Sequence, residues 1–156
     1  MNPLLGITGL RGDRERRRWP ALSGQPCNLA RMTTQETMTR VQLGAMGEAL
    51  AVDHLTRLGL RILNRNWRCR YGELDVIASD EATRTVVFVE VKTRTGDGYG
   101  GLAHAVTERK VRRLRRLAGL WLAGQHGHWA VVRIDMIGVR VGRRRTPEIT
   151  HLQGIG

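Results

Sequence analysis

The segment Thr85 to Thr93 constrains the fold of this chain more than any other. It reads Thr-Val-Val-Phe-Val-Glu-Val-Lys-Thr, and such a density of β-branched residues is typical of a β-strand. Its apolar positions run together instead of alternating, which predicts a strand covered on both faces. Glu90 and Lys92 interrupt the run. Because buried charge is costly unless it is paired or bound to a metal, these two positions indicate a functional site.

A second predicted strand brings another charge to the same place. Leu74 to Ala78 is apolar except for Asp75. The polar segment 79–84 that follows is short enough for an antiparallel hairpin with the next strand. Side chains two residues apart leave one face of a strand, so Glu90 and Lys92 point the same way. The hairpin is expected to set Asp75 beside Glu90, where two carboxylates and one ammonium would converge.

Converging carboxylates suggest a metal site. Two close carboxylates repel each other unless a positive charge lies between them, and hard divalent cations prefer oxygen ligands. The pattern therefore predicts Mg²⁺ or Mn²⁺ held by Asp75 and Glu90, with the backbone carbonyl of Val91 completing the shell. Lys92 would orient a water and offset the charge that develops on a phosphate. The alternative from spacing alone is a structural ion-pair cluster on a solvated face.

The remaining periodicities predict two helices and further strands. The predicted helices are 39–58, with Thr39 as cap and Gly59 as stop, and 107–123; the strands are 60–64, 130–139 and a short edge strand near Ile149. A helix between the third and fourth strands implies that these two pair in parallel. The expected fold is α/β, a mixed sheet flanked by helices.

The first helix carries one carboxylate among its apolar positions. Two apolar edges are expected, one of Leu43, Met46, Leu50 and Leu58 and one of Val41, Ala45, Val52 and Leu55. Glu48 has a helical spacing to the second edge, so its carboxylate must lie at the margin of the stripe or face a partner inside.

The charge of the chain favours an anionic partner. Lys plus Arg number 26 against 14 Asp plus Glu, a formal net charge of +12. Nucleic acid is the first candidate, an anionic membrane the second, and a basic tail without a binding role the third. No apolar run approaches the roughly 20 residues that span a bilayer, so we expect a soluble cytoplasmic protein. Since nucleic acid is favoured over an anionic membrane, a membrane partner is not expected.

The first part of the chain differs from the rest. Residues 1–37 contain three of the four prolines and a basic run without sustained periodicity, which predicts a flexible tail. Residues 38–156 then form the domain. Met32 and Met38 both precede the first periodic segment, and either is a candidate for the true translation start.

Several motifs follow one another in an informative order. They are Gly44-x-x-Gly47-Glu48-x-x-Ala51, Ile62-Leu63-x-Arg65-Asn66-Trp67-Arg68, Gly72-Glu73-Leu74-Asp75-Val76-Ile77-Ala78, Val87-Phe88-Val89-Glu90-Val91-Lys92-Thr93-Arg94, Ala105-Val106 with Lys110, and Arg133-Ile134-Asp135. This ordered set resembles the YraN family of predicted endonucleases. That family belongs to the restriction-endonuclease-like PD-(D/E)xK superfamily and is related to archaeal Holliday-junction resolvases. The resemblance extends over roughly residues 40 to 140.

The resemblance implies a fold, a site and an activity. The implied fold is the restriction-endonuclease-like mixed sheet. Glu48 corresponds to an auxiliary acidic residue, and Asp75, Glu90 and Lys92 correspond to the catalytic trio, with Leu74 where a proline is usual. The implied activity is metal-dependent cleavage of DNA, branched or damaged DNA included, by a homodimer. Independently of the resemblance, the basic side of the second helix and the proximity of two basic residues to the trio predict contacts with nucleic acid by Arg94, Lys110, Arg113 and Arg116.

Other functional interpretations stay open. The same fold and basic surface also suit a nucleic-acid-binding protein that does not cleave, and the charge suits a protein associated with RNA. The basic side of the second helix either follows a phosphate backbone or is a solvated face. His126 and His128 have a spacing that suits two metal ligands, whereas Asp135 is expected to be structural and paired with a basic neighbour, and Cys69 to be inert.

Overall fold

The computed structural model describes residues 38–96, 102–142 and 146–155; the predicted tail, 1–37, lies outside these residues. The described chain forms α1 (Arg40–Arg57), β1 (Arg61–Cys69), β2 (Gly72–Asp80), β3 (Thr85–Thr95), a short 3-10 turn (Leu102–Ala105), α2 (Glu108–Ala123), β4 (Val131–Val141) and β5 (Glu148–Leu152).

The strands form one mixed sheet in the order β1-β2-β3-β4-β5. Pairing is antiparallel between β1 and β2, β2 and β3, and β4 and β5. The β3–β4 pair is parallel, because α2 carries the chain back across the sheet between these strands. The expected α/β fold, a mixed sheet flanked by helices, is confirmed.

The predicted end of the first strand is wrong. The hydrophobic pattern predicts an end at Asn64, but β1 continues to Cys69. Its polar second half stays paired with β2, with Arg65 opposite Val76 and Trp67 opposite Leu74. Edge strands tolerate polar side chains because their backbone hydrogen bonds to one neighbour suffice to hold them, so hydrophobicity underestimates their length.

Two apolar layers cover the two faces of the sheet, as the uninterrupted run in β3 predicts. Val86 and Phe88 pack in the cluster beneath α2, whereas Val87 and Val89 pack in the cluster beneath α1. All four are fully buried. The α2 cluster comprises Leu74, Ile77, Val86, Phe88, Leu114, Leu117, Ala118, Trp121 and Ile134. The α1 cluster comprises Ala51, Leu55, Val76, Val87, Val89, Ile137 and Val139.

Helix α1 buries a stripe of mostly small residues. Thr39 caps it in a capping box with Gln42, and Gly59 adopts a left-handed φ of 84° just after its end, both as predicted. The predicted apolar edges are partly wrong, since Val41 is 82% exposed and Leu58 is 51% exposed. The buried positions are Gly47, Ala51 and Leu55. Small side chains let the helix approach the sheet closely.

Helix α2 covers the other face. Thr107 caps it by accepting a hydrogen bond from the backbone N–H of Lys110. The indole ring of Trp121 packs edge to face against Phe88, with ring centroids 5.6 Å apart. Its Nε1–H donates a hydrogen bond to Asn64 Oδ1 at 3.1 Å. In the described part of the chain, no helix has the length and apolar character needed to cross a membrane.

A buried carboxylate joins β4 to β5 and to α1. Asp135 is fully buried and accepts hydrogen bonds from Arg133 Nε, from the N–H of Gly154 and from His151 Nε2. The predicted pairing of Asp135 with a basic neighbour is confirmed. The other ring nitrogen of His151 lies 3.2 Å from His54 Nε2 on α1. These contacts fasten the β5 edge of the sheet beneath α1.

We predict that the close contact between α1 and β3 makes Gly47 intolerant of a side chain. A Cβ at Gly47 would lie 1.8 Å from Thr93 Oγ1, and such overpacking typically costs about 1–3 kcal/mol. Gly47→Ala should therefore lower the free energy of unfolding, measured by urea denaturation. Gly119→Ala is the control, because nothing lies within 4 Å of its Cβ position and the change should stabilise α2 by up to ~1 kcal/mol. Equal stabilisation by both changes would contradict this packing.

Candidate functional site

A cavity of about 710 Å³ lies where the N-terminal half of α1, the start of β2 and the end of β3 come together. Four acidic side chains line it: Glu48, Glu73, Asp75 and Glu90. Three basic side chains also line it: Arg40, Lys92 and Arg94. The structure therefore brings Glu48, which is far from the others in sequence, to the same cavity as the predicted trio.

The cavity exists because β2 and β3 stop pairing at this end. Their ladder ends at the pair Val76 and Val89. Continuing the same register would set Asp75 opposite Glu90. Instead, the backbone N–H of Val91 donates a hydrogen bond to Asp75 Oδ2 at 2.7 Å. The carboxylate of Asp75 thus takes the place of a strand partner, and the strands open beyond it.

A twist in β2 orients Asp75. Leu74 packs in the α2 cluster and Val76 in the α1 cluster, although residues two apart in a regular strand share one face. Val76 and Leu74 pair with Arg65 and Trp67 on β1. Asn66, which lies between these two partners, has a φ of 51°. Asparagine tolerates this left-handed conformation better than most residues. Asp75 lies between Leu74 and Val76, where the side chains of β2 change from one face of the sheet to the other. Its own side chain is part of neither core cluster.

The open end lets groups from both faces of the sheet reach one cavity. Glu48 projects from α1, whereas Glu90 contacts α2 on the other face. Arg113 Nη2 donates to Glu90 Oε2 at 2.9 Å, and Lys110 Nζ lies 3.9 Å from Glu90 Oε1. The Glu90 side chain is only 14% exposed. Because little solvent reaches it, Arg113 and Lys110 are the groups that balance its charge. Two residues predicted to contact nucleic acid therefore contact a predicted metal ligand.

Asp75 is the most perturbed acid of this site. Burial raises the pKa of Asp75 to about 6, and the hydrogen bond from the Val91 N–H opposes this rise. The carboxylates of Glu90, Glu48 and Glu73 add to it, in decreasing order. The site thus disfavours the ionised form of Asp75 in the absence of a compensating cation.

The donor chemistry at this cavity fits a hard divalent cation. The carboxylates of Asp75, Glu90 and Glu48 supply oxygen ligands of the kind that Mg²⁺ and Mn²⁺ prefer, and the raised pKa of Asp75 is the strain that a cation would relieve. Across the described residues, however, no three His, Cys, Asp or Glu side chains already surround one point closely enough to hold a metal, His126 and His128 included. The carboxylate oxygens of Glu90 instead face Arg113 and Lys110.

The other sequence-predicted residues divide into two groups. Lys92, Val91 and Arg94 line the cavity. Val91 contacts Asp75 through its backbone N–H and not through its carbonyl. Arg116 is not among the lining residues. Its guanidinium carbon lies 4.1 Å from the ring centroid of Tyr71, in the β1–β2 turn. Arg116 is therefore part of a neighbouring basic surface.

Six lining residues are not among the site residues predicted from the sequence: Arg40, Leu43, Gly44, Glu73, Thr93 and Thr95. Three of them, Arg40, Gly44 and Glu73, have a spacing that could have indicated them. Arg40 and Gly44 precede Glu48 by eight and four residues, so all three lie on one side of α1. Glu73 lies two residues before Asp75, a spacing that alternation along a strand makes suggestive. Both spacings were available as signals.

We predict that Asp75 lowers the stability of the metal-free protein above pH 6. The pKa of Asp75 in the folded protein, about 6, exceeds its ordinary value of 3.8, so the folded state holds this proton more tightly. The stabilisation is complete below pH 3.8 and is lost as pH rises to about 6. Asp75→Asn should therefore raise the free energy of unfolding at pH 8 by about 1–3 kcal/mol, and by less at pH 4.5.

Denaturant titrations in EDTA at the two pH values would measure this difference. Asp53→Asn, which removes an exposed acid of α1 outside the cavity, is the control; loss of its exposed ion pair should change the free energy of unfolding by less than about 1 kcal/mol at either pH. A loss of stability in Asp75→Asn at pH 8 would contradict the electrostatic description of the cavity.

Comparisons with known proteins identify relatives along the same part of the chain. The model of the Uncharacterised protein family UPF0102 matches residues 47–139. A UPF0102 protein of Mycobacterium avium is 84% identical over 128 residues, which cover 82% of this chain and 100% of the relative. A UPF0102 protein of Mycobacterium tuberculosis is 85% identical over 128 residues, with 80% and 100% covered. One from Mycobacterium ulcerans is 77% identical over 121 residues, with 78% and 99% covered. The chain belongs to the UPF0102 family, which is the YraN family that its motifs resemble.

Proposed function

We propose that this protein is a Mg²⁺- or Mn²⁺-dependent endonuclease that hydrolyses phosphodiester bonds in DNA. The observation that carries the proposal is the position of Asp75. Its carboxylate lies at the open end of β2 and β3, with a pKa raised by burial and by three other carboxylates. Glu48, Glu90 and Lys92 line the same cavity. A concave site that combines a carboxylate of raised pKa, Asp75, with further acids and a nearby ammonium is the kind of site in which hydrolysis of a phosphodiester is expected.

Each side chain has a role in this proposal. Asp75 and Glu90 would hold the cation, with Glu48 beside them and the carbonyl of Val91 as a further oxygen donor. A bound divalent cation polarises a phosphoryl oxygen and lowers the pKa of a coordinated water. Lys92 is an exposed residue on the cavity wall, where its ammonium can orient the attacking water and balance charge on the phosphate.

The second helix supplies the charge for a polyanion. Besides Arg113 and the half-buried Lys110, this helix carries four exposed arginines: Arg109, Arg112, Arg115 and Arg116. Contacts of this kind bind the phosphate backbone without reading the base sequence. Since Arg113 and Lys110 also contact Glu90, they connect the basic helix to the cavity. A phosphate drawn to α2 would therefore arrive next to the acidic residues.

A second candidate function is a nucleic-acid-binding protein that retains the fold and does not cleave. One observation favours it: Glu90 is paired with Arg113 and Lys110, instead of being grouped with Asp75 and Glu48 around one point. If that pairing persists in solution in the presence of divalent cations, the basic surface would remain functional while the hydrolytic site would not assemble.

We predict that cleavage depends on both Asp75 and Lys92. The wild-type protein should cut supercoiled, single-stranded or four-way-junction DNA in the presence of Mg²⁺ or Mn²⁺. Asp75→Ala and Lys92→Ala should each lower the cleavage rate by roughly 10²–10³-fold, because each removes charge that acts on the reacting phosphate. A gel-based cleavage assay measures the rates, and filter binding in EDTA measures retained DNA affinity.

The matched control is Glu81→Ala, which removes an exposed acid paired with Arg61 outside the cavity. Its cleavage rate should equal that of the wild type. Cutting that persists at full rate in both cavity variants would contradict the proposal. Tight DNA binding without cutting, with either cation and on all three substrates, would favour the non-catalytic alternative.

A further inference from the structure

Helix α1 contains two interior glycines whose surroundings differ. Gly47 is explained by packing, because a Cβ there would collide with Thr93. Gly44 has no such explanation: nothing lies within 4 Å of the position its Cβ would take. Glycine inside a helix costs about 1 kcal/mol relative to alanine. Packing against the rest of the protein therefore does not explain why position 44 is a glycine.

Open space alone does not indicate a ligand. Gly119 in α2 also has nothing within 4 Å of its Cβ position, but it is exposed and does not line the cavity. The position of Gly44 is different. It is part of the cavity wall, one helical turn from Arg40 and one turn from Glu48. A side chain at position 44 would enter the space next to the acidic residues.

The charges along this wall suit a phosphate chain. The acids that line the cavity are accompanied on α1 by Arg40 and at the end of β3 by Lys92 and Arg94. From Arg40 to Glu48 the helix rises about 12 Å at 1.5 Å per residue. Successive nucleotides of one strand rise about 3.4 Å along a duplex. The α1 wall is therefore as long as several nucleotide steps of a strand, so Arg40 can face one phosphate of the strand while Glu48 faces another.

We propose that Gly44 is where the sugar–phosphate backbone of one nucleic-acid strand crosses α1. The absent side chain lets the strand approach the helix backbone, Arg40 contacts a phosphate beside the one that reacts, and Glu48 lies beneath the reacting phosphate. The inference rests on the proposed function, since it assigns the cavity to a phosphodiester. Gly44 is a positioning residue that acts by leaving room for the strand.

The test fills the space without removing any charge. Gly44→Leu adds a bulky side chain at a position with no neighbour within 4 Å, and leucine favours helix more than glycine does. Ala49→Leu is the matched control, because Ala49 is exposed on the same helix and does not line the cavity. Affinity for a fluorescent DNA oligonucleotide is measured in EDTA at fixed salt. Mn²⁺ affinity is measured by calorimetry without DNA, and stability by thermal unfolding.

We expect Gly44→Leu to bind the oligonucleotide at least 10-fold more weakly, to keep its Mn²⁺ affinity within 2-fold and to melt no lower than the wild type. Ala49→Leu should match the wild type in all three measurements. As a second variant, Arg40→Gln should reduce the slope of log affinity against log salt by about one, as the loss of one phosphate contact does.

The inference is overturned if Gly44→Leu binds DNA within 2-fold of the wild type, or if Ala49→Leu weakens binding equally. It is also overturned if Gly44→Leu loses Mn²⁺ and DNA affinity together, because that would mean a collapsed site. A wild-type protein that binds no Mn²⁺ and cuts no DNA would instead defeat the proposed function, and the comparison in EDTA would still decide the role of Gly44.

Discussion

The hydrogen bond from the Val91 N–H to the Asp75 carboxylate determines the shape of the candidate site. It occurs where the β2–β3 ladder has ended, so a side chain replaces a backbone partner and the two strands separate. Buried backbone donors need a partner, and Asp75 supplies one while keeping an oxygen available to the cavity. Because the strands separate here, Glu48 from the α1 face and Glu90 from the α2 face line the same space.

This arrangement places four acidic side chains around one cavity, and one of them, Asp75, is largely buried. Burial and neighbouring carboxylates raise the pKa of Asp75, while Arg113 and Lys110 balance Glu90 from α2. A carboxylate whose pKa is raised well above its ordinary value in an open cavity is more typical of a functional site than of a structural ion pair. The buried Asp135 makes the contrast clear, since Arg133, His151 and the Gly154 N–H satisfy its carboxylate within the fold.

Local sequence signals predicted the elements that depend on local physics. The β-branched run of β3 and the caps of α1 appear as expected, and the spacing of Asp75, Glu90 and Lys92 was readable. The features that escaped prediction depend on long-range contacts. The second half of β1 is held by pairing with β2 and not by its own hydrophobicity. The ion pair of Glu90 with Arg113 joins residues 23 positions apart, and the twist at Asn66 depends on a single left-handed residue.

The central claim is that Asp75 and Glu90 can share one divalent cation. Anomalous diffraction from crystals soaked in Mn²⁺ tests it most directly, because the signal locates the metal without assuming activity. We predict one peak at roughly 2.0–2.6 Å from carboxylate oxygens of both residues, with Glu90 turned away from Arg113. Crystals at saturating Mn²⁺ that show no peak at this cavity, and Glu90 still paired with Arg113 and Lys110, would contradict it.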